Sequence, residues 1–142
     1  MFKHILLAID LNDKASWSQA LPVAVEQAKA GGGTLTMLAV VPDFGMNVVG
    51  NFFPKDYEKE ATAEAAAQLD ALAAEKIPGD VDSATAVAYG TIYEEILAAA
   101  DKSGSDLIVM ASHRPALKDY LLGPNAARVA RHGNCSVLIV RT

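Results

Sequence analysis

The stretch richest in potential chemistry covers residues 110–132 and reads MASHRPALKDYLLGPNAARVARH. It leaves a strand-like apolar run through small residues and brings together His113, Arg114 and Lys118 before a helical pattern begins near Gly123. A phosphate site needs a closely approachable backbone, inward-pointing N–H groups and a helix N-terminus, whose first N–H groups have no partner inside the helix. The stretch therefore predicts a phosphate-binding loop.

Individual residues of this loop suit that purpose in different ways. Ala111 and Ser112 are small enough for a phosphate to approach the backbone, and Gly123 can adopt backbone angles that other residues avoid. Pro124 has no N–H and removes one donor, whereas Asn125 after it keeps its own.

No catalytic constellation stands out elsewhere in the chain. There is no G-x-S-x-G elbow and no complete Walker P-loop, and His4, His113 and His132 lack the spacing of metal ligands. Cys135 is the single cysteine, so an intrachain disulfide is impossible, and we expect it to pack in the core. Because no catalytic constellation is present, any hydrolysis of a bound phosphate group should be slow.

The elements that would position the loop alternate along the chain. Short apolar runs predict strands over residues 4–10, 34–41, 81–90, 106–112 and 136–141, and helical periodicity predicts helices over residues 12–33, 57–76, 91–104 and 125–133. This alternation implies parallel pairing with right-handed crossovers. The predicted fold is a single doubly wound, five-stranded parallel α/β sheet with helices on both faces, a Rossmann-like architecture.

Two helix starts carry local signals. Pro22 lies inside the first helical pattern, so that helix begins near Ser16 or Ser18, or else it is kinked. Thr91 followed three residues later by Glu94 predicts a capping box at the third helix.

Residues 42–56 predict a second long connection, rich in Gly, Pro and Asn. Three aromatic residues at the end of this segment, Phe52, Phe53 and Tyr57, should either pack locally or form a lid or partner surface.

In doubly wound sheets, ligands bind beyond the carboxyl ends of the strands, where the winding direction reverses. With five strands, we place this switch between the first and fourth strands, whose carboxyl ends are residues 8–10 and 110–112. Asp10 could there bind a ligand, or it could merely cap the following turn.

Composition and charge exclude several classes of protein. The chain has 142 residues, of which 51% are apolar, and a net charge of −5. An acidic chain is a poor binder of nucleic acid or of anionic lipid. We see neither a signal peptide nor an apolar run long enough to span a membrane, and we expect a cytoplasmic protein.

The whole chain resembles the universal stress protein family. The blocks that carry the resemblance are HILLAID, TLTMLAVV, DLIVMASH and LLGPNAARVARHGNCSVLIVR. The last two are the most specific, and ASHRP…YLLG resembles the small bacterial F/G-type subgroup, for which nucleotide binding is a family property. The nucleotide-binding branch carries G-x2-G-x9-G-[ST] in this loop. Here Ala111 and Arg114 replace the first two glycines, the second spacing is one residue shorter, and Pro124 replaces Ser or Thr.

The resemblance implies one universal stress protein domain over residues 1–142 that binds ATP or AMP, with Mg²⁺ bridging the phosphates. It implies that the adenosine contacts Ala8, Ile9 and Asp10, with Asp10 on a ribose hydroxyl. Val40 and Val41 would face adenine through backbone groups. The loop 111–126 would hold the phosphates through Ala111, His113, Arg114, Gly123, Pro124, Asn125 and Ala126.

Three functions remain open from the sequence. The first is a nucleotide-binding regulatory protein of the stress response with an unidentified partner protein. The second, favoured by Arg114 and Pro124, is a nucleotide-free interaction module of the same fold, and the third is a slow ATPase. The unbroken apolar run at residues 136–141 would be an exposed edge strand, and together with the resemblance it predicts a homodimer through antiparallel pairing of that strand.

Overall fold

The computed structural model describes residues 1–42, 57–112 and 123–142. The strands of this part are β1 (His4–Ile9), β2 (Thr34–Pro42), β3 (Asp82–Gly90), β4 (Leu107–Ser112) and β5 (Ser136–Arg141). The helices are α1 (Ala20–Gly31), α2 (Tyr57–Lys76), α3 (Ile92–Ser103) and α4 (Gly123–His132). None of these helices is both long and apolar enough to cross a membrane. Phe52 and Phe53 lie outside the described residues.

The five strands pair in parallel in one sheet, in the order β3-β2-β1-β4-β5. From β1 the chain winds outward to β2 and β3, and it then returns to the other side of β1 to add β4 and β5. The predicted doubly wound α/β fold is confirmed, and the winding reverses between β1 and β4 as expected.

Helices cover both faces of the sheet, which explains why β1 lacks a polar alternation. Ile5, Leu7 and Ile9 pack in the layer that contains α1 and α2. Leu6 and Ala8 point the other way, into the layer beneath α3 and α4. All five side chains are at most 3% exposed, so β1 is the centre of the core.

The amino ends of β1 and β4 are tied together by Asp106. Its carboxylate accepts the backbone N–H groups of Lys3 and His4, each at 2.9 Å, and its own N–H donates to the His4 carbonyl at 2.9 Å. Burial alone would raise the pKa of this carboxyl, but the N–H groups of Lys3, His4 and Asp106 itself outweigh it and lower the pKa. This contact helps to fix the register of the two strands that flank the switch point.

The first helix begins close to the later of its two predicted starts. Pro22 predicted a start near Ser16 or Ser18, or else a kink, and α1 begins at Ala20. Before it, Asp13 caps a short 3₁₀ turn at Lys14–Ser16 by accepting a backbone N–H at 3.0 Å. Because Pro22 then falls in the first turn of α1, its missing N–H costs no helical hydrogen bond and no kink is required.

The capping box predicted for α3 is wrong. Thr91 is the N-cap residue, but its side chain makes no capping hydrogen bond. The Glu94 carboxylate instead accepts the hydroxyl of Tyr93 at 3.3 Å. Glu94 and Glu95 still place negative charge in the first turn, where the helix dipole favours it.

Close backbone approach explains one glycine at the end of α1. A Cβ on Gly31 would lie 2.0 Å from the carbonyl oxygen of Phe2, whereas a Cβ on Gly79 would have no heavy atom within 4 Å. We therefore expect Gly31→Ala to lower the free energy of unfolding by about 1–3 kcal/mol. Urea denaturation measures this, with Gly79→Ala as the control expected to change stability by less than about 1 kcal/mol. Equal effects of the two substitutions would contradict the close approach.

Candidate functional site

The chain turns sharply where it leaves β1, and Ser16 holds this turn. The Ser16 hydroxyl accepts the N–H of Asp10 and donates to the carbonyl of the same residue, both at 2.9 Å. Ser16 is only 1% exposed, so its hydroxyl depends on these two bonds. The backbone of Asp10 is thereby fixed at the carboxyl edge of the sheet.

The Asp10 side chain is half-buried and takes part in the turn. Its Oδ1 accepts the N–H of Asn12 at 2.9 Å, which is the turn-capping bond that the sequence analysis weighed against ligand binding. Burial raises the pKa of this carboxyl; the Asn12 N–H opposes the effect, and the charge of Asp13 adds to it. The carboxylate is therefore held in place in a partly desolvated position.

A cleft of about 210 Å³ opens beside Asp10, between the carboxyl ends of β1 and β2 and one face of α2. Three of the predicted site residues, Asp10, Val40 and Val41, line it together. The other described lining residues are Leu11, Asn12, Ala39, Pro42, Ala61, Glu64, Ala65 and Gln68. One wall is thus a strand end, and the opposite wall is a helix.

The strand wall offers backbone groups as well as side chains. The pairing of β1 with β2 ends at Ile9 and Ala39, whereas β2 continues beside β3 to Pro42. Residues 40–42 therefore extend past β1. Because successive residues of a strand direct their N–H and C=O groups to opposite sides, Val40 or Val41 turns a donor and an acceptor toward the cleft.

The helix wall was missed by the sequence analysis. Ala61, Glu64, Ala65 and Gln68 follow the spacing i, i+3, i+4, i+7 and so share one face of α2. Gln68 donates to the Glu64 carboxylate at 3.3 Å, and the two alanines leave room beside this pair. Two polar residues interrupting an alanine stripe were the available signal, but the pattern is equally typical of a solvated helix face.

The remaining predicted site residues lie elsewhere. Ala8, Ile9 and Ala111 are buried in their strands, so only their backbone groups could reach a ligand. Ala126 is buried on α4, and Asn125 is half-buried in the first turn of that helix. His113 and Arg114 lie outside the described residues.

The start of α4 differs slightly from its prediction. The helix begins at Gly123, two residues before the predicted start, so Gly123, Pro124 and Asn125 all belong to its first turn. This turn follows β4 in the chain, after residues 113–122. Neither Asn125 nor Ala126 is among the described residues that line the cleft beside Asp10.

Metal-binding side chains are not clustered in the described part of the chain. Residues 1–42, 57–112 and 123–142 contain no group of three or more His, Cys, Asp or Glu that could hold a metal ion. Cys135 packs against the core layer of α3 and α4 as expected, and its burial, with the charges of Asp101 and Asp106, raises its pKa.

Comparison with known proteins agrees with this architecture. A model of the Universal stress protein family matches residues 1–141. The chain belongs to the universal stress protein family. Among curated members, universal stress protein G of Shigella flexneri is 27% identical over 143 residues, which cover 99% of this chain and 100% of that protein.

Two solved structures of the family share the fold. One is a universal stress protein in complex with cAMP, which is 23% identical with a TM-score of 0.62 and covers 99% of this chain and 98% of its own. The other is the universal stress protein from Archaeoglobus fulgidus in complex with dAMP, which is 18% identical with a TM-score of 0.58 and covers 96% of each chain.

The raised pKa of Asp10 makes the stability of the protein depend on pH. The folded protein binds the proton of the Asp10 carboxyl more tightly than the unfolded chain does. The stability that this group contributes therefore falls as the pH rises from the ordinary pKa of 3.8 through the raised pKa of the folded state. Asp10→Asn keeps an acceptor for the Asn12 N–H but removes the charge. We expect the variant to gain stability relative to the original protein between about pH 3 and pH 7.

Urea denaturation across this pH range measures the difference. Asp82→Asn, at the exposed start of β3, controls for the general loss of one negative charge. A stability difference between Asp10→Asn and the original protein that stays constant with pH would contradict the prediction.

Proposed function

We propose that this member of the family binds an adenine nucleotide, AMP or ATP, at the carboxyl edge of its sheet and acts as a nucleotide-responsive regulator in the stress response. The observation that supports this is the cleft beside Asp10, which lies at the carboxyl ends of β1 and β2 and brings a half-buried carboxylate next to open strand ends. Relatives of the same fold have been solved with cAMP and with dAMP.

The cleft suits the adenosine part of such a ligand. Ala39, Val41 and Pro42 provide apolar surface for a purine, and the backbone of β2 beyond β1 provides a donor and an acceptor for its edge. Asp10 accepts a ribose hydroxyl, since a carboxylate is a strong acceptor. At about 210 Å³ the cleft is smaller than the roughly 300–1,000 Å³ of sites that enclose a drug-sized ligand. The phosphates therefore extend beyond it.

We propose that the phosphates lie in the loop 111–126. The first turn of α4 has N–H groups without helical partners, which favours an anion there. The backbone at Ala111 permits close approach, and His113 and Arg114 add positive charge. Mg²⁺ bridging the phosphates of ATP would keep several waters and would need no protein cage.

Filling the cleft tests the proposed adenosine site. Ala61 lines the cleft, whereas Ala67 is exposed on the same helix outside it. We expect Ala61→Leu to weaken AMP binding by about tenfold or more, since the larger side chain occupies the volume of the ligand. Titration calorimetry with AMP measures the affinity of each variant.

Ala67→Leu is the matched control because it makes the same substitution in the same helix, and its affinity for AMP should be unchanged. Equal affinities of the two variants would show that AMP binds elsewhere. If the original protein takes up neither AMP nor ATP with Mg²⁺ and releases no nucleotide on denaturation, the nucleotide-free interaction module is the better explanation.

We further propose that the protein is a homodimer through β5. This strand lies at the edge of the sheet, and Val137, Leu138, Ile139 and Val140 are only half-buried. Antiparallel pairing of two copies across a two-fold axis would satisfy the open edge and cover these side chains. Light scattering at micromolar concentration should give the mass of a dimer, and the mass of a monomer would contradict the proposal.

A further inference from the structure

A second groove lies between the start of α1 and the end of α2. Its volume is about 450 Å³, which falls within the roughly 300–1,000 Å³ of small-molecule sites. Its lining includes Lys14, Trp17, Leu21, Val25, Lys76 and Pro78, and it shares no described residue with the cleft beside Asp10. The groove is therefore separate from the proposed nucleotide site.

The inner surface of this groove is apolar. Leu21 and Val25 are 4% and 8% exposed and belong to the core layer of α1 and α2, and Trp17 packs against the same layer. Trp17 is half-buried and lines the groove together with Leu21 and Val25. The groove thus combines an aromatic side chain with an aliphatic inner surface.

Two exposed lysines, Lys14 and Lys76, line the same groove. No carboxylate of the described chain lies within 4.0 Å of the Lys14 ammonium, and Lys76 lies 3.5 Å from the neighbouring Glu75 in an exposed pair. Exposed pairs of this kind contribute little, so Lys76 remains available to another anion. In a chain of net charge −5, two lysines beside one apolar groove favour an anionic occupant.

We propose that this groove binds a small amphipathic carboxylate. The apolar body of the ligand packs against Trp17 and the apolar inner surface formed by Leu21 and Val25. The carboxylate pairs with the ammonium groups of Lys14 and Lys76, since both lysines line the groove. A cation of the same shape is excluded because the two lysines repel it.

The protein carries its own reporter for this site, because Trp17 is the single tryptophan. We would titrate the full chain, free of nucleotide, with decanoate below its micelle concentration and follow the emission of Trp17. A saturable change is expected. Decyltrimethylammonium, with the same chain and the opposite charge, should give no saturable change at the same concentrations.

Charge reversal tests the role of the lysines. The double variant Lys14→Glu/Lys76→Glu should bind decanoate on the order of tenfold more weakly, since it replaces two attractions by two repulsions. Lys59→Glu/Lys102→Glu is the matched control, because it reverses two charges at exposed lysines that do not line the groove. Its decanoate affinity should equal that of the original protein.

Three kinds of result would overturn the proposal. The first is the absence of a saturable response to decanoate. The second is a loss of selectivity, seen either as an equal response to the cationic analogue or as an unchanged decanoate affinity of the double variant. The third is a change in molar mass of the double variant by light scattering, which would mean that a second copy of the chain occupies the groove. Because decanoate and AMP are tested on different variants, failure here leaves the proposed nucleotide site untouched.

Discussion

The structure depends on the burial of β1 between two neighbouring strands and two helical layers. A strand whose five consecutive side chains are all buried can exist only if helices cover both faces, and parallel pairing requires each connection to cross the sheet. The chain must therefore wind outward from β1 in both directions. The winding direction reverses between β1 and β4, where doubly wound sheets bind ligands, and the described cleft lies beside this point at the carboxyl ends of β1 and β2. The position of the candidate site is a consequence of topology.

Two polar groups at the cleft beside Asp10 are buried at a cost in folding free energy. The partly desolvated Asp10 carboxylate lies where burial disfavours its charge, and Ser16 must be buried to hold its backbone. A turn needing only to connect β1 to α1 could place both groups in water. Natural proteins commonly accept reduced stability where a group must be preorganised for a ligand, which is consistent with the function proposed for Asp10.

The sequence predicted the elements best where helix propensity is strong throughout. The helix at residues 57–76 has the predicted bounds, because its twenty residues are mainly strong helix formers. The helical pattern at residues 12–33 extends further than α1, because Asp13 and Ser16 bond to nearby backbone and stabilise a turn in place of the helix. Pro22 indicated a start near Ser16 or Ser18, close to the observed Ala20, whereas hydrophobic periodicity gives no sign of the turn.

The candidate site was only partly predictable for a different reason. Asp10 follows an apolar strand, and that position alone indicates the carboxyl edge. Glu64 and Gln68 gave no comparable indication, because their role as a cleft wall follows from how α2 lies over β2. Periodicity identifies the face of a helix but not the strand end that this face meets.

The short extension of β2 beyond β1 has a consequence for how the family can diverge. If the edge of the ligand is read by the N–H and C=O groups of Val40 or Val41, these hydrogen bonds do not depend on which apolar side chains stand there. Apolar substitutions can accumulate at both positions without loss of the bonds, provided that the strand keeps its length. This part of the specificity leaves no motif in an alignment, and two distant members could make the same hydrogen bonds with different residues.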